Sequence, residues 1–240
     1  MTFAWAAATH QGLVRDHNED ALWPRPPDGR MAQGEATDDF LAAVADGMGG
    51  HVAGEVASRV AIEAAVATDG DAVARVLAAN AAVLHTAHAR PRLTGMGTTL
   101  TLAIFSGDMV EIGHIGDSRA YRYREGNLEQ LTRDHSLVAE MVASGELRPE
   151  DATAHPFRSV ITRALGLESN IAVDLVQRDA LPGDRFLLCS DGLTTMLEST
   201  QIAALLTERD GPAAAAALVE AANRAGGFDN TSVVVVDVRN

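Results

Sequence analysis

The 240-residue sequence has a single cysteine, Cys189. No intramolecular disulfide can form, which points to a reducing compartment. Bases are scarce: 19 against 33 acids, for a formal net charge of -14. Nucleic-acid backbones are held by clustered Lys and Arg, so this balance argues against a nucleic-acid binder. Nowhere is there the run of roughly 20 apolar residues that spans a bilayer. The opening "MTFAWAAATHQG" also lacks the basic segment and apolar length of a secretory signal. The expectation is a soluble, cytoplasmic protein with neither a membrane nor a nucleic-acid partner. Repeats and low-complexity linkers are missing too. What is present, 47% hydrophobic and 22% charged residues, suits a globular protein with a substantial core.

Strands are expected at 2–9, 40–45, 97–105, 109–116, 118–124, 128–132, 171–178, 184–190 and 231–238. Short turn segments, "SGD" at 106–108 and "EGN" at 125–127, make the middle of the chain an antiparallel meander. The Pro/Gly-rich piece 23–39 reads as a surface loop. Helical stretches are expected at 54–67, where Val56, Val60 and Ala64 recur every four residues, and at 71–90. Late in the chain, Ser199 is placed to cap a helix carrying Ile202, Leu205 and Leu206. Pro212 then opens another helix, closed by Gly226 and Gly227. Strands in blocks with helices before and after suggest antiparallel sheets covered by helices, an α+β layered fold.

Four acids share one placement. Asp46 follows "LAAVA", Asp191 follows "FLLCS", Asp117 interrupts "IGHIGDSRAY", and Asp229 precedes "SVVVVDV". Each neighbours a Gly, Asn or Ser, where the backbone turns easily. Any one Asp-Gly is explained by a tight turn; four, each flanking an apolar strand, are better explained by a shared pocket. Gathered carboxylates tolerate ionisation only beside cations. Hard oxygen donors without a Cys/His pattern favour Mg2+ or Mn2+ over zinc, and Gly47 would let its carbonyl join the ligands. In "GLVRDHNEDAL", Glu19 and Asp20 sit together, with Arg15 four residues before Glu19. Arginine suits a phosphate through two parallel hydrogen bonds; the alternative is a surface Arg15–Glu19 ion pair worth less than about 1 kcal/mol.

In order, "GLVRDHNEDA", "VADGMGGHVAGEVAS", "GTTLTLAIF", "IGHIGDSRAYRYR", "DHSLV", "ITRALG", "FLLCSDGL" and "FDNTSVVVV" resemble the bacterial metal-dependent Ser/Thr protein phosphatases of the PPM, or type 2C, family. The resemblance runs from about residue 10 to 238. It implies one catalytic domain over 1–240, built as a four-layer α-β-β-α sandwich of two antiparallel sheets, with a flap over roughly 133–165. By position, it implies that Asp46 bridges two ions, Mn2+ or Mg2+. Asp191 and Asp229 would complete the first ion's protein ligands, and Glu19 with the Gly47 carbonyl would serve the second. Asp20 would orient metal-held water. A third ion would take Asp117 with Asp191, and Ser159 is a further candidate there. Arg15 matches the phosphate-binding arginine. The implied reaction is hydrolysis of phosphoserine and phosphothreonine in proteins: a bridging hydroxide attacks phosphorus in line, without a phosphoenzyme. The implied partners are phosphorylated proteins, substrates of a bacterial Ser/Thr kinase and the kinase itself, acted on by a monomer.

One position departs from the family pattern. Where several members carry a His after the first DG, this chain has Met48, which cannot donate a proton. His51 is close by, although a loop histidine facing solvent is the simpler reading, and the general acid stays unassigned. His85 and His88, three apart on a helix, read as solvated surface. A thiolate phosphatase needs Arg six residues after its Cys; Thr195 stands there, so Cys189 reads as a buried core residue. The rival functions are a non-catalytic phosphoprotein binder, which would be expected to lose metal acids, and a hydrolase of small phosphate esters.

Overall fold

The computed structural model describes residues 1–50, 52–152, 154–207 and 209–240. Its strands are β1 (Thr2–His10), β2 (Asp20–Trp23), β3 (Met31–Ala36), β4 (Phe40–Met48), β5 (Gly97–Thr98), β6 (Leu100–Ser106), β7 (Met109–Ile115), β8 (Arg119–Arg124), β9 (Asn127–Gln130), β10 (Asp174–Asp179), β11 (Arg185–Cys189) and β12 (Thr231–Arg239). The helices are α1 (Val52–Ala67), α2 (Ala72–Ala89), α3 (Leu137–Ser144), α4 (Pro149–Ala152), α5 (Asp191–Thr194), α6 (Ser199–Thr207) and α7 (Gly211–Arg224).

The four consecutive valines of β12 show how the layers arise. Successive side chains of a strand point to opposite faces, so a strand buried on both sides reads as an unbroken apolar run. Val234, Val236 and Val238 face the other sheet, in a core with Phe3, Phe40, Phe105 and Phe186. Val233 and Val235 face outward, against Ile202, Leu206 and Leu218 of α6 and α7. One sheet runs β3-β1-β12-β11-β8-β9 and the other β10-β7-β6-β4-β2, with β5 added to β4; the pairs are antiparallel. α1 and α2 cover the second sheet through Ala57, Ala61, Ala65, Val76 and Val83. The result is the expected four-layer α-β-β-α sandwich. Among the described residues no helix is long and apolar enough to cross a membrane.

The structure corrects three expectations. The stretch 23–39 is not only a loop: β2 ends in it and β3 lies within it. β3, "MAQGEA", has no β-branched residue and no fully buried one, so it forms only because edge pairing with β1 supplies its hydrogen bonds. Gly34 there leaves room for the Trp5 ring of the opposite residue. The strand expected at 40–45 continues through Asp46 to Met48, because Gly47 and Met48 find a new partner in β5. Ser199 is the first residue of α6 rather than its cap; Glu198 precedes it, its carbonyl accepting from Gln201 and Ile202. α7 starts as expected, with Asp210 capping and Pro212 in its first turn.

Candidate active site

Sheet register places the first two acids. Asp20 and Asp46 are directly paired across β2 and β4. The Asp46 backbone is fixed on its other edge by threonines: its N–H donates to Thr99 Oγ1 at 2.9 Å, and its carbonyl accepts from Thr98 Oγ1 at 2.8 Å. Thr99 Oγ1 lies 2.7 Å from Ser118 Oγ, which ties β4 to the turn carrying Asp117. That turn is gripped by His135, whose N–H donates to the Gly116 carbonyl at 2.8 Å while its Nδ1 accepts from the Gly116 N–H at 3.0 Å. Ser190, one residue before Asp191, donates to Asp20 Oδ2 at 2.7 Å. Five separate segments are thus locked to one another at the ends of their strands.

Burial and mutual repulsion dominate the electrostatics. Desolvation, followed by Asp20, Asp191, Asp117 and Asp229, raises Asp46 well above the ordinary carboxylate range. Burial likewise lifts Asp20 to about 7, against the lowering effect of its serine hydrogen bonds. Asp117 is pushed to about 7 by burial and by Asp191. Asp191 is raised by burial and by Asp229, while the neighbouring Asp46 acts in the opposite direction. Arg15 does not pair with Glu19 as the surface-pair alternative had it. Its Nη2 donates to Asp229 Oδ2 at 2.7 Å, a contact that raises the guanidinium pKa.

Glu19 reaches the same place by close packing with α1. Its backbone carbonyl accepts from Gly47 N–H at 3.2 Å and from Ser58 Oγ at 2.6 Å. A Cβ at Gly54 would collide with the Glu19 carboxylate, and one at Gly47 would collide with the Gly54 carbonyl, so both positions require glycine. Asn230 closes the ring. Its Oδ1 accepts from Glu19 N–H at 2.7 Å, and its Nδ2 donates to the carbonyls of Gln11 at 2.9 Å and His17 at 2.8 Å. Ser159 lines a cleft of about 350 Å³ together with Asp117, Asp191, Arg119 and Arg158. Met48 is partly buried and packs toward Gly97. His51 lies outside the described residues.

The positioning residues Thr98, Thr99, Ser58, Ser118, Ser190, His135 and Asn230 were not singled out from sequence. For three of them a signal was there: Ser118, Ser190 and Asn230 stand directly beside Asp117, Asp191 and Asp229. All are buried.

Among the described residues, no three His, Cys, Asp or Glu side chains stand as a group that would hold a metal ion. The donor set nevertheless fits hard divalent cations. Asp20, Asp117 and Asp191 each keep a buried carboxylate oxygen without a hydrogen-bond partner, a cost a cation would remove. Cys189 is fully buried and its thiol is pushed up to about 12, so it offers no nucleophile.

A sequence profile described as protein phosphatase 2C matches residues 16–221. The serine/threonine protein phosphatase PstP of Mycobacterium tuberculosis is 41% identical over 247 residues, covering 99% of this chain and 45% of that protein. The chain therefore spans about half the length of that relative. A crystal structure of the Mycobacterium tuberculosis phosphatase PstP/Ppp superposes with a TM-score of 0.90 at 40% identity, over 100% of both chains. The catalytic domain of PstP in complex with two manganese ions gives 0.86 at 39% identity, again over 100% of both. With the profile spanning most of its length and the fold shared throughout, this chain belongs to the protein phosphatase 2C family.

Proposed function

We propose that the protein hydrolyses phosphoserine and phosphothreonine in proteins, with Mn2+ or Mg2+, and that it reverses the action of a Ser/Thr kinase. One observation carries the reading: Asp20, Asp117, Asp191 and Asp229, from distant stretches of the chain, all lie close enough to Asp46 to raise its pKa, and Arg15 is hydrogen-bonded to Asp229. The relatives' names support the activity, and the manganese ions in the PstP catalytic domain support the metal.

Asp46, Asp191 and Asp229 would hold one ion, and Asp46, Glu19 and the Gly47 carbonyl a second. Asp117 with Asp191, and Ser159 nearby, would hold a third. When bound, such ions supply acidity to water and positive charge for phosphoryl oxygens. The chain's own groups do the rest. Arg15 turns from Asp229 to grip the phosphate with its planar fork. Asp20, held by Ser190, would orient the water there. Thr98, Thr99, Asn230 and Ser58 hold the backbone of Asp46 and Glu19 still, so that little reorganisation is required on binding. In this reading water attacks phosphorus directly and no phosphoenzyme forms. The segment 133–165, containing α3 and α4 and adjoining the cleft at Arg158 and Ser159, would act as the flap.

The test is phosphate release from a phosphothreonine peptide with manganese, with and without chelator, beside Asp191→Ala. Activity should vanish with chelator and fall by about 100-fold or more in the variant, on the scale of losing one charged group at a reacting centre. Metal-independent turnover, or wild-type rates in the variant, would remove the phosphatase reading. Preference for small phosphate esters over peptides would favour the small-ester hydrolase instead.

A further inference from the structure

The acids buried deepest in the site have buried apolar neighbours, such as Leu22, Val44, Ile115 and Leu193. The two segments that carry Arg15 and Asp229 differ. Leu13 and Val14 are 67% and 61% exposed and Phe228 is 61% exposed, all within two residues of the Arg15–Asp229 pair. Apolar side chains are exposed singly on most proteins, but three gathered beside a polar site mark a contact surface.

Local geometry builds this surface. The Leu13 N–H donates to the Gly227 carbonyl at 2.7 Å, joining the two segments. Gly226 and Gly227 have φ of +138° and +54°, the region that favours glycine. A Cβ on Gly226 would meet the Phe228 ring at 3.0 Å, and one on Gly227 would meet Leu13 Cγ at 2.9 Å. The glycines therefore leave space for the side chains of Leu13 and Phe228 beside the turn, and Val14 follows Leu13 in the chain.

We propose that Leu13, Val14 and Phe228 form a platform for an apolar side chain immediately flanking the phosphoserine or phosphothreonine of a substrate protein, an inference that rests on the phosphatase reading above. Position selects the occupant. A phosphate held by Arg15 brings the neighbouring residues of its own polypeptide over these three side chains before any other group. Charge agrees: the platform itself is uncharged, and a chain of net charge -14 disfavours acidic flanks.

The test compares two phosphothreonine peptides that differ only in the residues on either side of the phosphothreonine, leucine in one and serine in the other. The wild-type chain with manganese should give a kcat/KM about tenfold higher for the leucine peptide, the scale of burying part of one aliphatic side chain. Leu13→Ser and Phe228→Ser should each bring that ratio down to about threefold or less. Leu175→Ser, at an exposed leucine on β10, should leave it unchanged. Because the ratio is internal to each protein, an overall loss of activity does not disguise it. A wild-type ratio near one, or a ratio untouched by both platform variants, overturns the platform alone. Absence of manganese-dependent phosphate release from either peptide overturns the phosphatase reading beneath it.

Discussion

Replacing Asn230 with alanine tests whether the loop carrying Arg15 is held by a side chain rather than by its own backbone. Asn230 makes three hydrogen bonds, of 2.7, 2.9 and 2.8 Å, to Glu19, Gln11 and His17, and it is almost fully buried. Alanine removes all three. At about 1 kcal/mol net per bond, with water replacing some of the lost contacts at the exposed Gln11 and His17, the expected cost is about 2–3 kcal/mol. For a chain of this size that lowers Tm by about 5–10 °C. Asn230→Asp keeps the acceptor for the Glu19 N–H but loses both donors and sets a second carboxylate beside Asp229, so it should be no better tolerated than alanine. The assay is urea unfolding followed by the fluorescence of Trp5 and Trp23, together with kcat/KM for a phosphopeptide. KM should rise, since Arg15 sits in the released loop. A stability change in Asn230→Ala below about 0.5 kcal/mol, the size of an ordinary surface substitution, would refute the idea that this amide organises the loop.

Three further outcomes are expected. His114 is buried against His135 and its pKa is held down to about 4, so the folded protein stays unprotonated where the unfolded chain binds a proton. Stability is therefore lost as pH falls below about 6.5, by about 2 kcal/mol at about pH 5, and His114→Gln should flatten that slope; an unchanged urea midpoint profile would count against it. Phe105→Ala empties the centre of the inter-sheet core, where the ring lies 5.4 Å from Phe3 and 5.2 Å from Phe186, and should cost about 3–5 kcal/mol in denaturant unfolding. Gly54→Ala in an ordinary helix would stabilise by about 1 kcal/mol, yet here the added Cβ meets the Glu19 carboxylate and the Gly47 carbonyl. It should lower the melting temperature and weaken manganese binding measured by calorimetry; a raised melting temperature would contradict the packing.

The sequence alone determined the elements whose residues decide for themselves. The valines of β12 must be buried on both faces, the alanine-rich run 71–90 must be helical, and the Gly226–Gly227 pair must end α7, because side-chain period and backbone freedom are local properties. The acids of the site were legible too, as carboxylates beside glycine, asparagine or serine at strand ends. Only the tertiary structure decided what depends on partners distant in the chain. β3 exists because β1 offers an edge, β4 runs past Asp46 because β5 pairs with its last residues, and Arg15 meets Asp229, 214 positions away, rather than Glu19. Glu19 and Gly47 lie together because Gly54 of α1 has no side chain to hold them apart. The sequence could name the acids, but long-range pairing and close packing set their surroundings, and those surroundings fix their charge.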